Sequence, residues 1–213
     1  MTLLTPSHPV GPAIIWADTQ PLLNGAGQPA AEATTLLDAG CYVVAVTAFN
    51  SAAFPGEPNT QPATAKKSSN PPYSGYFSTY NRTTMANRVH DLLTAMAFSR
   101  TLPKVSEVRL IGRGDEGPAA LLARALAGKA VTRAAIALNH FDFDQVTEPT
   151  DPRFIPGGRK YGGIYGFVPL MEGQTLIMGA RETGRYDLAR QTPGVTLEPQ
   201  TRSPAATAAW LLK

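Results

Sequence analysis

Short apolar runs alternate with helical patterns along most of this 213-residue sequence. Six runs have the length and residue types of buried strands, and the segments between them carry helical apolar spacing or Ala- and Leu-rich stretches that end at glycine. The predicted strands are 13–17, 41–49, 105–111, 134–138, 175–179 and 195–197. Strands that alternate with helices form parallel sheets joined by right-handed crossovers. We therefore predict the α/β class: a three-layer α/β/α sandwich around a mostly parallel sheet of about six strands.

The composition fits one globular domain. With 43% hydrophobic and 16% charged residues, the chain has enough apolar side chains for a core and differs from disordered proteins. Residues 50–80 interrupt the alternation, because Pro, Ser, Asn and Gly dominate there. We predict a single domain, 1–213, with a loop insertion at about 50–80. Its aromatic residues either form a sugar-stacking surface or pack the loop onto the sheet edge: Tyr73, Tyr76, Phe77 and Tyr80.

The charge and the hydropathy of the chain limit the classes of partner that it is predicted to bind. The formal net charge is +3 and the basic residues are scattered, so no nucleic-acid partner is predicted. No apolar run approaches the roughly 20 residues that span a bilayer, so no membrane partner is predicted either. Residues 1–12 lack the pattern of a signal peptide, and both a bacterial cytoplasmic protein and an exported mature form fit the sequence. Cys41, the one cysteine, is predicted to be a buried apolar residue.

The sharpest local feature is the turn at 112–117 (GRGDEG), after the third predicted strand. Its glycine spacing matches a phosphate-binding loop, but that strand is not the first, and Asp115 and Glu116 would repel an anion. A second interpretation is the G-x-S-x-G turn of hydrolases, with Gly114 at the nucleophile position. A third is structural, because glycines permit tight turns and acidic residues favour helix N-termini.

The order of the elements favours the hydrolase interpretation. Several segments also resemble a known family: 36–40 (LLDAG), 80–82 (YNR), 87–91 (NRVHD), 112–126 (GRGDEGPAALLARAL) and 160–163 (KYGG). In these segments the chain resembles the α/β-hydrolase superfamily, and within it bacterial acetyl-xylan-esterase-like and dienelactone-hydrolase-like proteins. The resemblance covers residues 12–213 in outline. It implies α/β-hydrolase strand order, with the first strands of that fold missing.

The resemblance also implies a catalytic Ser, His and acid on three different loops. Gly114 stands at the Ser position, and Glu182 follows the strand that carries the acid. The His should follow the last strand, near 200–203, where the sequence has none. The chain therefore resembles acetyl xylan esterases but lacks their Ser–His pair.

A second polar cluster, NHFDFD, follows the predicted strand 134–138. Alternation places His140, Asp142 and Asp144 on one side and the two phenylalanines on the other. These residues are either metal ligands or an acid–base group, or they form a polar loop anchored by the phenylalanines. The second interpretation is favoured, and no metal or cofactor is predicted.

Two residues follow the first two predicted strands. A carboxylate at Asp18 would oppose a developing oxyanion, and Ser51 is interpreted as a turn residue. A ligand-binding cleft is predicted from Asp18, Ser51, Arg113, Gly114, Glu116 and Asp142.

Three functions follow from these residues. The first is a non-catalytic or weakly active relative that binds a small ester or carbohydrate. The second is an active carboxylic ester hydrolase with a non-standard site at Asp115, His140 and Glu182. The third is a structural or assembly subunit that forms a homo-oligomer or recruits a partner chain through an exposed sheet edge.

Overall fold

The computed structural model describes residues 1–50, 81–149 and 151–213. Its strands are β1 Thr2–Leu4, β2 Ala13–Ala17, β3 Tyr42–Ala45, β4 Val108–Gly112, β5 Arg133–Ala137, β6 Gln174–Met178 and β7 Val195–Glu198. Its α-helices are α1 Ala31–Asp38, α2 Thr84–Ser99, α3 Gly117–Ala127, α4 Tyr186–Arg190 and α5 Pro204–Leu211. Four 3₁₀ helices cover Gly114–Glu116, Gly128–Ala130, Phe143–Gln145 and Ile164–Leu170 in the described chain.

The described strands form one sheet in the order β1-β3-β2-β4-β5-β6-β7. All neighbours are parallel except β1, which pairs antiparallel with β3. The mostly parallel sheet and the α/β class are confirmed. The structure adds one strand to the prediction: β1 lies where the resemblance implied that the first strands were missing. Three residues, two of them exposed, are too short for an alternation pattern.

Both faces of the sheet are covered, which explains why the central strands are mainly apolar. Along β2, Ile15 and Ala17 belong to one core cluster, and Ile14 and Trp16 belong to the other. Helices α2, α3 and α4 pack on the first face, and α1 and α5 pack on the second. This is the predicted three-layer arrangement.

Helix α2 begins and packs as its sequence indicates. The hydroxyl of Thr83 accepts a hydrogen bond from the amide of Ala86 at 3.2 Å, which caps the helix. The apolar positions Met85, Val89 and Leu92 are buried.

No helix in the described part of the chain is long and apolar enough to cross a bilayer.

Helix α3 starts directly against the strand ends, which fixes the turn before it. A Cβ on Gly117 would lie 1.9 Å from the carbonyl oxygen of Ala137, so only glycine permits this close approach. Pro118 occupies the first helical turn, where its missing N–H costs no hydrogen bond. The turn at Arg113–Glu116 is thereby held at the carboxyl edge of the sheet.

Candidate functional site

A cavity of about 240 Å³ lies at the carboxyl ends of β2 and β3, beside the turn that follows β4. This is the edge where ligands of open parallel sheets bind. Its lining includes Trp16, Asp18, Thr19, Leu22, Val46, Ala48, Arg88, Asp115 and Glu116. A mainly apolar groove between α2 and α3 includes the exposed His90, and it contains no carboxylate among its described lining residues.

Gly114 has no room for a side chain. Its φ is +59°, in the left-handed region that favours glycine. A Cβ at this position would lie 2.2 Å from the Oγ1 of Thr19 and 2.8 Å from the Cβ of Thr19. The side chain of Thr19 therefore occupies the space that a nucleophile at position 114 would use.

Thr19 also binds the next residue of the turn. The backbone N–H of Asp115 donates a hydrogen bond to the Oγ1 of Thr19 at 2.8 Å. In G-x-S-x-G turns, the corresponding N–H stabilises the oxyanion of the reaction. Sequence reasoning missed Thr19, because a single threonine after a strand carries no pattern.

Glu116 is the most buried carboxylate of the cavity lining. The residue is 3% exposed, and its Oε1 lies 3.4 Å from a guanidinium nitrogen of Arg88. Within the described residues, its Oε2 has no hydrogen-bond partner. Burial raises the pKa of Glu116, and Arg88 offsets part of that rise. The nearby carboxylates of Asp115, Asp91 and Asp18 raise this pKa further.

The other contacts of Arg88 fix its position. Its Nε and Nη2 donate hydrogen bonds of 3.0 Å to the carbonyl oxygens of Phe49 and Asn50. Asp91, one helical turn further along α2, accepts the N–H of Phe49 at 2.9 Å. The chain after β3 is therefore tied to α2, and Arg88 is not free to turn toward the second oxygen of Glu116.

Arg113 lies between two carboxylates beside the cavity. Its guanidinium forms ion pairs of 2.9 Å with Asp18 and 2.6 Å with Glu32, and it stacks 4.6 Å from the ring centroid of Trp16. Burial raises the pKa of Glu32, and the charge of Arg113 partly opposes this rise. The carboxylate of Asp18, where the resemblance places an oxyanion loop, is thus offset by a cation.

Asp142 anchors a loop and is almost fully buried, at 2% exposure. Its carboxylate accepts the N–H of Phe143 at 2.7 Å, the N–H of Ile164 at 2.6 Å and the hydroxyl of Thr183 at 2.5 Å. These bonds tie the segment after β5 to the loops before Ile164–Leu170 and after β6. Phe141 and Phe143 are buried, in line with the favoured interpretation that two phenylalanines anchor this loop.

The remaining predicted site residues are not joined to one another. The side chain of His140 is exposed, with its backbone in the left-handed region. No hydrogen bond or ion pair in the described chain connects it to Asp115. Glu182 is exposed, and Asp144 forms a surface ion pair of 2.7 Å with Arg181. Ser51 lies outside the described residues, as does the aromatic segment 73–80.

The described residues hold no group of three or more His, Cys, Asp or Glu side chains in an arrangement for a metal ion.

A scan against protein-family models gave no match, and a comparison with curated proteins gave none either.

Solved structures do match. Est1E from Butyrivibrio proteoclasticus, solved with ferulic acid bound, superposes with a TM-score of 0.58 at 12% identity, over 99% of this chain and 91% of that chain. Acetyl xylan esterase 1 from Thermoanaerobacterium gives 0.55 at 12% identity, over 99% of this chain and 77% of that one. Acylaminoacyl peptidase of Pyrococcus horikoshii gives 0.59 at 12% identity, over 98% of this chain and 37% of that one.

This chain has the α/β-hydrolase fold. At these identities the likeness shows the fold alone. Strand β4 leads into the glycine-rich turn that contains Gly114. The loop after β6 contains Glu182, and the sequence after β7, 199–203, is PQTRS, which contains no histidine.

Proposed function

We propose that this α/β-hydrolase-fold protein binds a small ligand in the cavity at the ends of β2 and β3 and does not hydrolyse esters there. The observation that carries the proposal is the contact between Thr19 and the turn at Gly114–Asp115. Acyl transfer requires a nucleophile, an oxyanion hole and a base. This contact argues against the first two, and the position of the histidines argues against the third.

The first requirement is a nucleophile at the apex of the turn. Ester hydrolysis in this fold needs an Oγ or Sγ atom there. Gly114 supplies none, and the side chain of Thr19 fills the space. The hydroxyl of Thr19 accepts a hydrogen bond from Asp115, and no imidazole contacts it in the described chain to take its proton.

The second requirement is a free oxyanion donor. A donor contributes to catalysis when it is aimed at the developing negative charge. The N–H of Asp115 instead donates to Thr19 within the protein. A substrate oxygen would have to displace that hydroxyl, so the turn is built for packing rather than for charge stabilisation.

The third requirement is a base that lies within hydrogen-bond reach of the nucleophile. The segment after β7 offers no histidine, and His140 is not hydrogen-bonded to Asp115 in the part of the chain that the structure describes. What remains at the cavity is a set of polar and charged groups beside apolar walls, which is the composition of a binding site.

An ester-hydrolysis assay tests the proposal. Short-chain p-nitrophenyl esters are incubated with the wild type, Asp115→Asn, His140→Ala and the surface control Asp144→Asn. We expect no turnover above the buffer rate, or a trace rate that is equal in all four proteins. Turnover by the wild type that Asp115→Asn or His140→Ala abolishes, while Asp144→Asn retains it, would overturn the proposal. That result would favour a non-standard ester hydrolase.

An assembly role is a second candidate, and the sheet edges favour it. β1 and β7 are the two edge strands of the described sheet, and Leu3 of β1 is exposed. Unpaired strand edges recruit further chains. Light scattering over a range of protein concentrations tests this role: a constant monomer mass contradicts self-association, and a mass that rises with concentration supports it.

A further inference from the structure

We propose that the cavity binds a small primary amine, with its ammonium group between Glu116 and Asp115. The inference rests on the proposed function, that this cavity binds a ligand, and it names the ligand class.

The charges around the cavity favour a cation. Asp18, Asp115 and Glu116 line it, and Arg88 is the one cationic side chain among its described lining residues. Outside the lining, Arg113 pairs with Asp18 and Glu32, Arg153 interacts with Asp115, and Asp91 interacts with Glu116. The five carboxylates and three guanidinium groups together leave an excess of two negative charges. An anionic ligand would meet this excess directly, whereas an ammonium group is attracted to it.

Glu116 provides the specific contact. Glu116 lines the cavity, and its Oε2 is buried and has no hydrogen-bond partner in the described chain. A buried carboxylate oxygen without a partner is costly, and the contacts of Arg88 with two carbonyl oxygens hold that guanidinium away from it. An ammonium group carries three donors on one atom, so it satisfies Oε2 and still reaches a second acceptor.

Asp115 provides that second acceptor. Its backbone is fixed by Thr19, but its carboxylate is exposed and forms no hydrogen bond with any described residue. It is the middle residue of the 3₁₀ helix Gly114–Glu116 and directly precedes Glu116, and both residues line the cavity. Charge-assisted hydrogen bonds from one ammonium to two carboxylates are among the stronger polar contacts.

The apolar residues of the cavity lining indicate which group the ligand carries besides its ammonium. Trp16, Leu22, Val46 and Ala48 contribute apolar surface, and the cavity volume is about 240 Å³. This combination suits a short alkyl or aryl group attached to the ammonium. A neutral alcohol of the same length fits the walls but lacks the charge.

Calorimetric titration at pH 7.5 tests the inference, with n-butylamine as the probe and 1-butanol and butyrate as matched ligands. We expect saturable binding of butylamine to the wild type and none of butyrate. Butanol should bind at least about tenfold more weakly, because it forgoes the charge-assisted bonds. Glu116→Gln removes the buried charge with little change of shape and should weaken butylamine binding about tenfold or more. Glu172→Gln, at an exposed carboxylate that does not line the cavity, should bind as the wild type does.

Three outcomes would overturn the inference: no butylamine binding to the wild type, equal binding of butylamine and butanol, or unchanged affinity in Glu116→Gln. If circular dichroism shows that Glu116→Gln does not fold, Asp115→Asn decides, and unchanged butylamine affinity in that variant contradicts the inference. The ester assay keeps the two proposals apart. Hydrolysis that depends on Asp115 overturns the proposed function, whereas absent hydrolysis without amine binding overturns the ligand class alone.

Discussion

The side chain of Thr19 both caps and fills the turn after β4. Its Oγ1 accepts the N–H of Asp115 at 2.8 Å, and a Cβ on Gly114 would lie 2.2 Å from the same oxygen. The loop after β2 and the turn after β4 therefore fit each other only with glycine at 114. An internal hydrogen bond thus joins the loop after β2 to the turn after β4.

Introducing a serine at position 114 should destabilise the protein. We expect Gly114→Ser to lower the free energy of unfolding by about 2–4 kcal/mol, from left-handed backbone strain together with overpacking against Thr19. Thr19→Gly in the same chain should recover the overpacking part, which a double-mutant cycle by urea denaturation measures. Gly25→Ser is the matched control, because nothing lies within 4 Å of a Cβ built there. Equal stability of Gly114→Ser and the control would contradict this prediction, because it would show that the side chain of Thr19 moves aside at little cost in free energy.

Arg113 should be essential for stability near neutral pH. Arg113→Met leaves Asp18 and Glu32 without their shared cation, and breaking a buried ion pair costs about 3–5 kcal/mol. The loss should shrink toward pH 4.5. Arg113 lowers the pKa of Glu32, so without it the carboxyl is neutral over a wider range and then needs no cation.

Chemical denaturation at several pH values measures this difference. Arg181→Met is the control, because its partner Asp144 lies at the surface, where an ion pair contributes about 0–1 kcal/mol. A loss for Arg113→Met that is no larger than the control loss, or that is the same at every pH, would contradict the role assigned to Arg113.

The central strands were predictable because burial on both faces of the sheet restricts most of their residues to apolar types. β2, β4, β5 and β6 are covered on both faces, so each appears in the sequence as a mainly apolar run. β1 was not predictable, since its three residues gain their structure from pairing with β3 and not from a pattern of their own. The position of the glycine turn followed from the strand and the helix on either side of it.

The candidate site was predictable only in part. Asp18 and Glu116, which follow β2 and β4, line the cavity. The alternation in NHFDFD indicated that Asp142 shares a side with His140, but the chain turns at Asn139 and His140, whose φ values are +51° and +61°. Alternation describes an extended strand, so it does not apply across this turn. Asp142 is buried as a result, and His140 is exposed.

Asp142 should stabilise the loops around it more than its acidic neighbour does. Asp142→Asn keeps the shape but replaces one acceptor oxygen with a donor group, which then faces N–H and O–H donors from Phe143, Ile164 and Thr183. We expect a loss of about 2–3 kcal/mol in the free energy of unfolding, because these bonds are charge-assisted and buried. Asp144→Asn should cost less than about 1 kcal/mol. Similar losses in the two variants, measured by urea denaturation, would contradict this assignment.

Glu116 should make the protein less stable as the pH rises. Burial raises its pKa in the folded state, so its contribution to stability is fully present below the unfolded pKa and is lost as pH rises through the folded value. Gln at this position does not titrate. The stability of Glu116→Gln relative to the wild type should therefore increase between about pH 4 and pH 7.

Glu198→Gln is the control of opposite sign for this pH dependence. A hydrogen bond from Arg202 lowers the pKa of Glu198, so its contribution is present above the unfolded pKa and is lost as pH falls. Glu198→Gln should therefore lose stability relative to the wild type as the pH rises. Urea denaturation of the three proteins over this range measures both slopes. Slopes of the same sign would show that the carboxyl of Glu116 is stabilised in its charged form, which contradicts the desolvated site described for it.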